Sequence, residues 1–260
     1  MAGVTQRRHR FKPEPKDIRA SNAPATMAVL ETLQDYRYLP VDHLAAITGF
    51  SYAHLKKIVI PVFFNEGYVF VPLEATQSYK ARNRSRVLAI SAKGEIHLKD
   101  YSRWRPARKK KLSFRYTFNG ELTRASFEIA AREVPRLALI KGARILQGKR
   151  CPQETRDNAD PFAVPVNGHT ILPDDELMGY CYTPPNSQPR WLFWMREDDR
   201  DTEDYAAIQR KIADYLAIDR ERIYLSRYGI PNCFYAFVTI SPTRAKGILD
   251  CVLRCTKGTG

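Results

Sequence analysis

The feature that most constrains the fold is the run from Arg190 to Met195. Trp191-Leu192-Phe193-Trp194 is apolar at consecutive positions, and the segment passes directly into Glu197-Asp198-Asp199. A strand on a sheet surface alternates apolar and polar residues, and a surface helix repeats its apolar face every three or four positions. An uninterrupted apolar run does neither; it is the pattern of a strand buried on both faces. The chain is therefore expected to contain a sheet whose central strand ends in carboxylates.

The rest of the second half supports such a sheet. Residues 121–139 read as a helix, with Leu122, Phe127, Ile129 and Ala130 on its apolar face and Pro135 near its end. Residues 143–146 read as a short strand and 148–161 as a loop. Thr170-Ile171-Leu172 leads into Pro173-Asp174, which is expected to begin another strand. Residues 183–189 form a Pro/Asn/Ser turn. A helix is predicted from about 203 to 216, with Ile208, Ile212 and Leu216 in line, then a strand over 233–240 and a last helix over 242–254.

In the first half, residues 1–22 form a basic arm. A helical pattern with Val29, Leu30 and Leu33 ends near Tyr38. Pro40 opens a second helix with Leu44, Ala45 and Ile47 on one face, and Gly49 supplies a tight turn. Ser51 caps a third helix over 52–65, which Pro61 is expected to kink or end early. The strand 68–71, a polar loop with Lys80, Arg82, Arg84 and Arg86, and the strand 87–90 complete a two-stranded wing, and Ser91 starts another helix. This is the order of a winged helix-turn-helix. The expected class is α+β: a winged helix-turn-helix domain over 23–102, a basic linker over 103–112, and an α/β domain with a mixed sheet over 113–256.

Charge supports that division. Of 42 Lys+Arg and 28 Asp+Glu in the chain, residues 1–112 hold 21 and 9, so the net +14 is concentrated there. A basic domain of this kind points to a polyanion. Ser51, Tyr52, His54, Lys56 and Lys57 at the start of the third helix can meet base edges or phosphates, and Arg82, Arg84 and Arg86 the backbone or minor groove. A winged helix that binds protein is the alternative. Stretch 103–111, with six like charges, reads as linker or solvated loop. No run is long and apolar enough to suggest a membrane span, and the five cysteines show no zinc-ligand spacing. A cytoplasmic protein without membrane contact is expected.

The carboxylates carry the chemical reading. If the strands flanking the 183–189 turn form a hairpin, Asp174, Glu197 and Asp199 meet at one end of the sheet, where they could bind Mg²⁺ or Mn²⁺ for attack on a phosphate. A solvated acidic turn is the alternative. The spacing resembles that of PD-(D/E)xK nucleases, with Asp199 in place of the usual lysine; Lys211 could reach back from the following helix, or pair with an acidic neighbour. Glu128 is a further candidate ligand.

The order of parts over residues 25–250 resembles the replication-relaxation family of plasmid and integrative-element proteins. The resemblance rests on Pro173-Asp174, on Glu197-Asp198-Asp199-Arg200-Asp201-Thr202-Glu203 as an E-x-D-x-x-T-E segment, on Lys211 with Tyr215, and on Phe237-Val238-Thr239 with Arg244. Phe114-Arg115-Tyr116 stands where the family often has a histidine, and Asp201 where it commonly has a glycine. The resemblance implies a restriction-endonuclease-like second domain. It also implies DNA handling by a mobile element, in replication, mobilisation or gene control, with double-stranded DNA as partner. A second copy of the chain would be required if the winged helix met two DNA half-sites, and a replication or mobilisation protein is a further candidate partner. Two readings follow: a metal-dependent nickase with Asp174, Glu197, Asp199 and Lys211 as catalytic residues, or a non-enzymatic regulator or origin-binding factor whose second domain serves dimerisation.

Overall fold

The computed structural model describes residues 24–77, 85–101, 113–201 and 203–256. The basic arm, Arg82 and Arg84 of the expected wing, and the segment 103–112 lie outside them. The protein is a mixed α+β chain and divides into two compact units at Ala130/Ala131.

The first unit begins with α1 (Pro24–Asp35), which buries Met27, Leu30 and Leu33. After β1 (Leu39–Pro40), Pro40 starts α2 (Val41–Thr48), which inserts Leu44 and Ile47 and stops at Gly49, whose φ of 77° is the left-handed value glycine tolerates best. The Ser51 hydroxyl accepts the His54 amide at 3.2 Å and opens a helical rod in three parts: α3 (Tyr52–His54), a π turn (Leu55–Val59) and α4 (Ile60–Asn65). Pro61 does not end the rod. It has no amide to donate, and its ring would crowd the carbonyl four residues back. The wider turn just before it, closed by the Ile60 amide on the Leu55 carbonyl, leaves that carbonyl room.

β2 (Val69–Phe70) follows, then α5 (Leu73–Gln77) where a loop was predicted, and then β3 (Val87–Ile90). β3 lies antiparallel between β1 and β2. Ser91 caps α6 (Ala92–Asp100). Leu30, Leu39, Leu44, Leu55, Phe63, Leu88 and Leu98 form one core. The long α7 (Phe114–Glu133) contributes to this unit as far as Ala130. Its Glu128 accepts the hydroxyl of the fully buried Tyr36 at 2.5 Å, and its Arg124 lies over the Tyr36 ring at 4.2 Å. Glu128 is therefore a hydrogen-bond partner of Tyr36 within the first unit.

In the second unit, Arg136, at φ 65°, turns the chain into β4 (Leu137–Ile140), so the helix predicted to 139 ends earlier. Residues predicted as a strand form the short helix α8 (Gly142–Leu146), in which the adjacent Ile145 and Leu146 both reach the core, as the alternating faces of a strand on one side of a core would not allow. α9 (Gln153–Arg156) interrupts the predicted loop. β5 (Val164–Val166) and β6 (His169–Ile171) make a separate hairpin around Asn167-Gly168, both at positive φ as a tight two-residue turn requires.

β7 (Met178–Tyr182) and β8 (Arg190–Asp199) are antiparallel about the 183–189 turn, as expected, but β7 begins at Met178 and not at Pro173-Asp174, which precede it outside the strand. Then come α10 (Tyr205–Arg220), α11 (Ile223–Tyr228), β9 (Phe234–Thr239) and α12 (Pro242–Thr256). The sheet order is β4-β7-β8-β9, with β8 and β9 parallel and the other neighbours antiparallel, so the sheet is mixed. β8 is central, but the apolar run is not buried throughout as expected: Trp191 and Leu192 are exposed, and burial runs from Phe193 through Glu197, into the acidic residues.

Candidate functional site

Period-two alternation sorts the end of β8 into two faces. Arg196 and Asp198 share one; Glu197 and Asp199 share the other. All four are largely withdrawn from water, and Arg196, Glu197 and Asp199 are fully buried. Unpaired buried charge is costly, so each must find a partner.

On the first face, the Arg196 guanidinium meets Asp198 Oδ1 at 3.1 Å and Asp175 Oδ2 at 2.9 Å. Asp174 lies beside the strand: its amide donates to the Arg196 carbonyl at 3.1 Å, and its Oδ2 accepts the Asp198 amide at 2.9 Å. Asp174, in a bend before β7, is thus tied to β8 by one backbone and one side-chain hydrogen bond. Burial pushes the Asp198 carboxyl up, and the charges of Asp174 and Asp175 add to this against the pull of Arg196.

On the second face, α10 supplies the partners. Asp204 caps it by accepting the Ala207 amide, and Ile208 and Ile212 fix its rotation by packing with Ile248 and Cys251 of α12. Lys211 and Tyr215, one turn apart, then point to β8. Lys211 Nζ lies 2.9 Å from Glu197 Oε2 and 2.7 Å from Glu203 Oε1. The Tyr215 hydroxyl donates to Glu197 Oε1, and its ring is held by stacking on Tyr235 at 4.4 Å. Burial and the neighbouring charge of Asp174 push the Glu197 carboxyl up to about 7, with Lys211 and Tyr215 opposing. The Lys211 ammonium is raised: burial works against it, and the charges and hydrogen bonds of Glu197 and Glu203 together more than compensate.

Asp199 is held differently. Arg244 of α12 donates Nε to Oδ2 at 2.7 Å and Nη2 to Oδ1 at 3.1 Å, a fork on the carboxylate, and Thr239 adds a bond at 3.2 Å. Burial raises the Asp199 carboxyl, but these bonds and the Arg244 charge prevail and hold it below the usual range. The Tyr205 ring supports the guanidinium at 4.4 Å.

Of the three carboxylates expected to share a cation, Asp174 and Glu197 are thus electrostatically coupled, while Asp199 is engaged by Arg244. Among the described residues, no three His, Cys, Asp or Glu side chains group as metal ligands. The Asp174–Glu197 pair by itself suits Mg²⁺, which commonly takes one or two carboxylates with water and substrate phosphates. The raised proton affinity of Glu197 comes first from burial and then from the charge of Asp174. Arg196, Asp175 and Tyr205 were not anticipated; the charged residues alternating along β8 were the available signal.

In the first unit, Ser51, Tyr52, Lys56 and Lys57 are all exposed on the α3–α4 rod, with Lys56 Nζ 5.3 Å from the Tyr52 ring centre. His54 is half-buried. Arg86 is also half-buried, its guanidinium over the Phe64 ring at 5.2 Å. No helix among the described residues is long and apolar enough to cross a membrane. Comparison of the chain with protein-family models, curated proteins and solved structures finds no match in any of the three.

Proposed function

We propose that this chain is a double-stranded DNA-binding protein of a mobile genetic element, acting in replication, mobilisation or relaxation of plasmid-like DNA, and that its second unit nicks DNA with the aid of Mg²⁺ or Mn²⁺. The observation that carries the catalytic part is the Glu197 site: a buried carboxylate coupled to Asp174 and met by Lys211 at 2.9 Å. The set resembles the two acids and lysine of a PD-(D/E)xK nuclease, with Asp199 at the usual lysine position and Lys211 reaching in from a helix. The residues behind the resemblance to the replication-relaxation family support it further. Asp174, Glu197, Asp199, Glu203, Lys211, Tyr215, Thr239 and Arg244 come from separate segments, and their contacts surround the end of β8. Asp201, where the family commonly has glycine, has a φ of 62°.

Asp174 and Glu197 would hold the cation, which when bound supplies Lewis acidity and an activated water. Tyr215 and Lys211 orient the Glu197 carboxylate. The Lys211 ammonium, a compact point charge, can also offset negative charge that develops on a phosphate. For the first unit, a helix, a strand, two helices across a glycine turn and two further strands is winged-helix connectivity, and the exposed Lys56 and Lys57 suit a phosphate backbone.

One observation favours a second reading. Both oxygens of Asp199 and both of Glu197 already accept hydrogen bonds, a closed arrangement suited to a non-enzymatic origin-binding or regulatory protein. Supercoiled plasmid incubated with the full chain and Mg²⁺ or Mn²⁺ separates the two. The nickase reading expects relaxation in the wild type and none in Asp174→Ala or Glu197→Ala. Relaxation that persists in both variants removes the assignment, and a DNA footprint without relaxation supports the second reading.

A further inference from the structure

The π turn in the α3–α4 rod has a consequence for what the rod displays. It adds a residue to one turn, so Leu55, Val59 and Ile60 all face the core while Lys56, Lys57 and Ile58 are exposed in succession. Ile58 is 58% exposed, on the same turn as the two lysines, and the core of the unit does not use it. An exposed apolar side chain that directly follows two exposed lysines is poorly matched to an apolar protein surface, which would have to desolvate both charges. It is well matched to the DNA major groove. There the lysines meet phosphates, and the only apolar group on a base edge is the 5-methyl of thymine.

We propose that Ile58 reads thymine: in the complex with duplex DNA, its side chain packs on a thymine methyl in the major groove while Lys56 and Lys57 engage the backbone. The assignment rests on the DNA-binding reading of the first unit and adds a base preference to it. Tyr52 and Lys56, stacked on one another, mark the neighbouring surface of the rod.

The test uses the full chain. Duplexes are selected from a randomised library, and the enriched duplex is resynthesised with deoxyuridine replacing thymidine one position at a time. Uracil lacks only the methyl group, so the wild type is expected to bind about fourfold more weakly at one position, the worth of one buried methyl. Ile58→Ala is expected to bind the thymidine and deoxyuridine duplexes equally, with an unchanged dependence on salt. If the wild type tolerates deoxyuridine at every position, or Ile58→Ala keeps the discrimination, the assignment to Ile58 is overturned while DNA binding stands. If duplexes are retained but no sequence is enriched, the assignment to Ile58 falls while DNA binding stands; if no duplex is retained at all, the DNA-binding reading falls and the assignment with it.

Discussion

Lys211 Nζ lies 2.9 Å from Glu197 Oε2, although fourteen residues separate the two in the chain. The contact joins the first half of α10 to the end of β8 and supplies a positive charge where burial and Asp174 work against the Glu197 carboxylate. Replacing Lys211 by Met leaves the carboxylate without that charge. Plasmid relaxation is expected to fall by about 10²–10³-fold, the usual effect of losing one electrostatic stabiliser. The DNA affinity measured by footprinting should be unchanged, because Lys56 and Lys57 are untouched.

Glu197 also makes stability depend on pH. Its carboxyl is raised from 4.5 to about 7 in the folded chain, so the folded state binds the proton more tightly than the unfolded one. The stabilisation this gives is fully present below pH 4.5 and is lost as pH rises to about 7. Urea unfolding of the wild type should show a decline on the order of 3 kcal/mol across that window, and Glu197→Gln should flatten it. Divalent-cation binding should show the opposite trend, tightening as pH rises through about 7, because the ligand must lose its proton.

Arg244→Leu removes the partner of a buried carboxylate. The expected loss is about 3 kcal/mol or more, measured by urea unfolding. Because the cost is that of leaving Asp199 charged and unpaired, the double variant Asp199→Leu with Arg244→Leu should recover part of it. A strictly additive double variant would show that the two residues do not act as a pair.

Gly229 ends α11 at a φ of 68°, and a Cβ there would come within 2.5 Å of the Arg150 carbonyl oxygen. Gly229→Ala therefore meets both a strained backbone and a backbone atom that cannot rotate away. A loss of about 2 kcal/mol or more is expected from strain and overpacking together, read as a lower melting temperature.

Lys56→Ala and Lys57→Ala should each weaken binding to selected and unselected duplexes alike, and each should reduce the slope of log K against log salt by about 1. A larger effect on the selected duplex would indicate that the lysine contacts bases.

Much of the frame is legible in the residues themselves. The strand β8, the 3.6-residue period of α1 and α10, the Gly49 turn and the Ser51 cap each have a local physical cause and appear where the pattern places them, although Trp191 and Leu192 of the apolar run are exposed. Local patterns did not resolve α8, α9 or α11, which are too short for a period to declare itself, or the extension of β8 through three acidic residues. Asn167-Gly168 is a local hairpin signal, and it forms the β5–β6 turn.

The candidate site divides in the same way. The sequence alone determines that carboxylates follow a buried strand and that Lys211 and Tyr215 share a helix face, since both follow from fixed periods of two and 3.6 residues. Only the tertiary structure decides which carboxylate each cation takes. α10 packs through Ile208 and Ile212 and brings Lys211 to Glu197, whereas α12 brings Arg244 to Asp199 and draws that residue out of the expected trio. Such pairings are set by the need to neutralise buried charge between distant segments, and no local pattern in the chain encodes that choice.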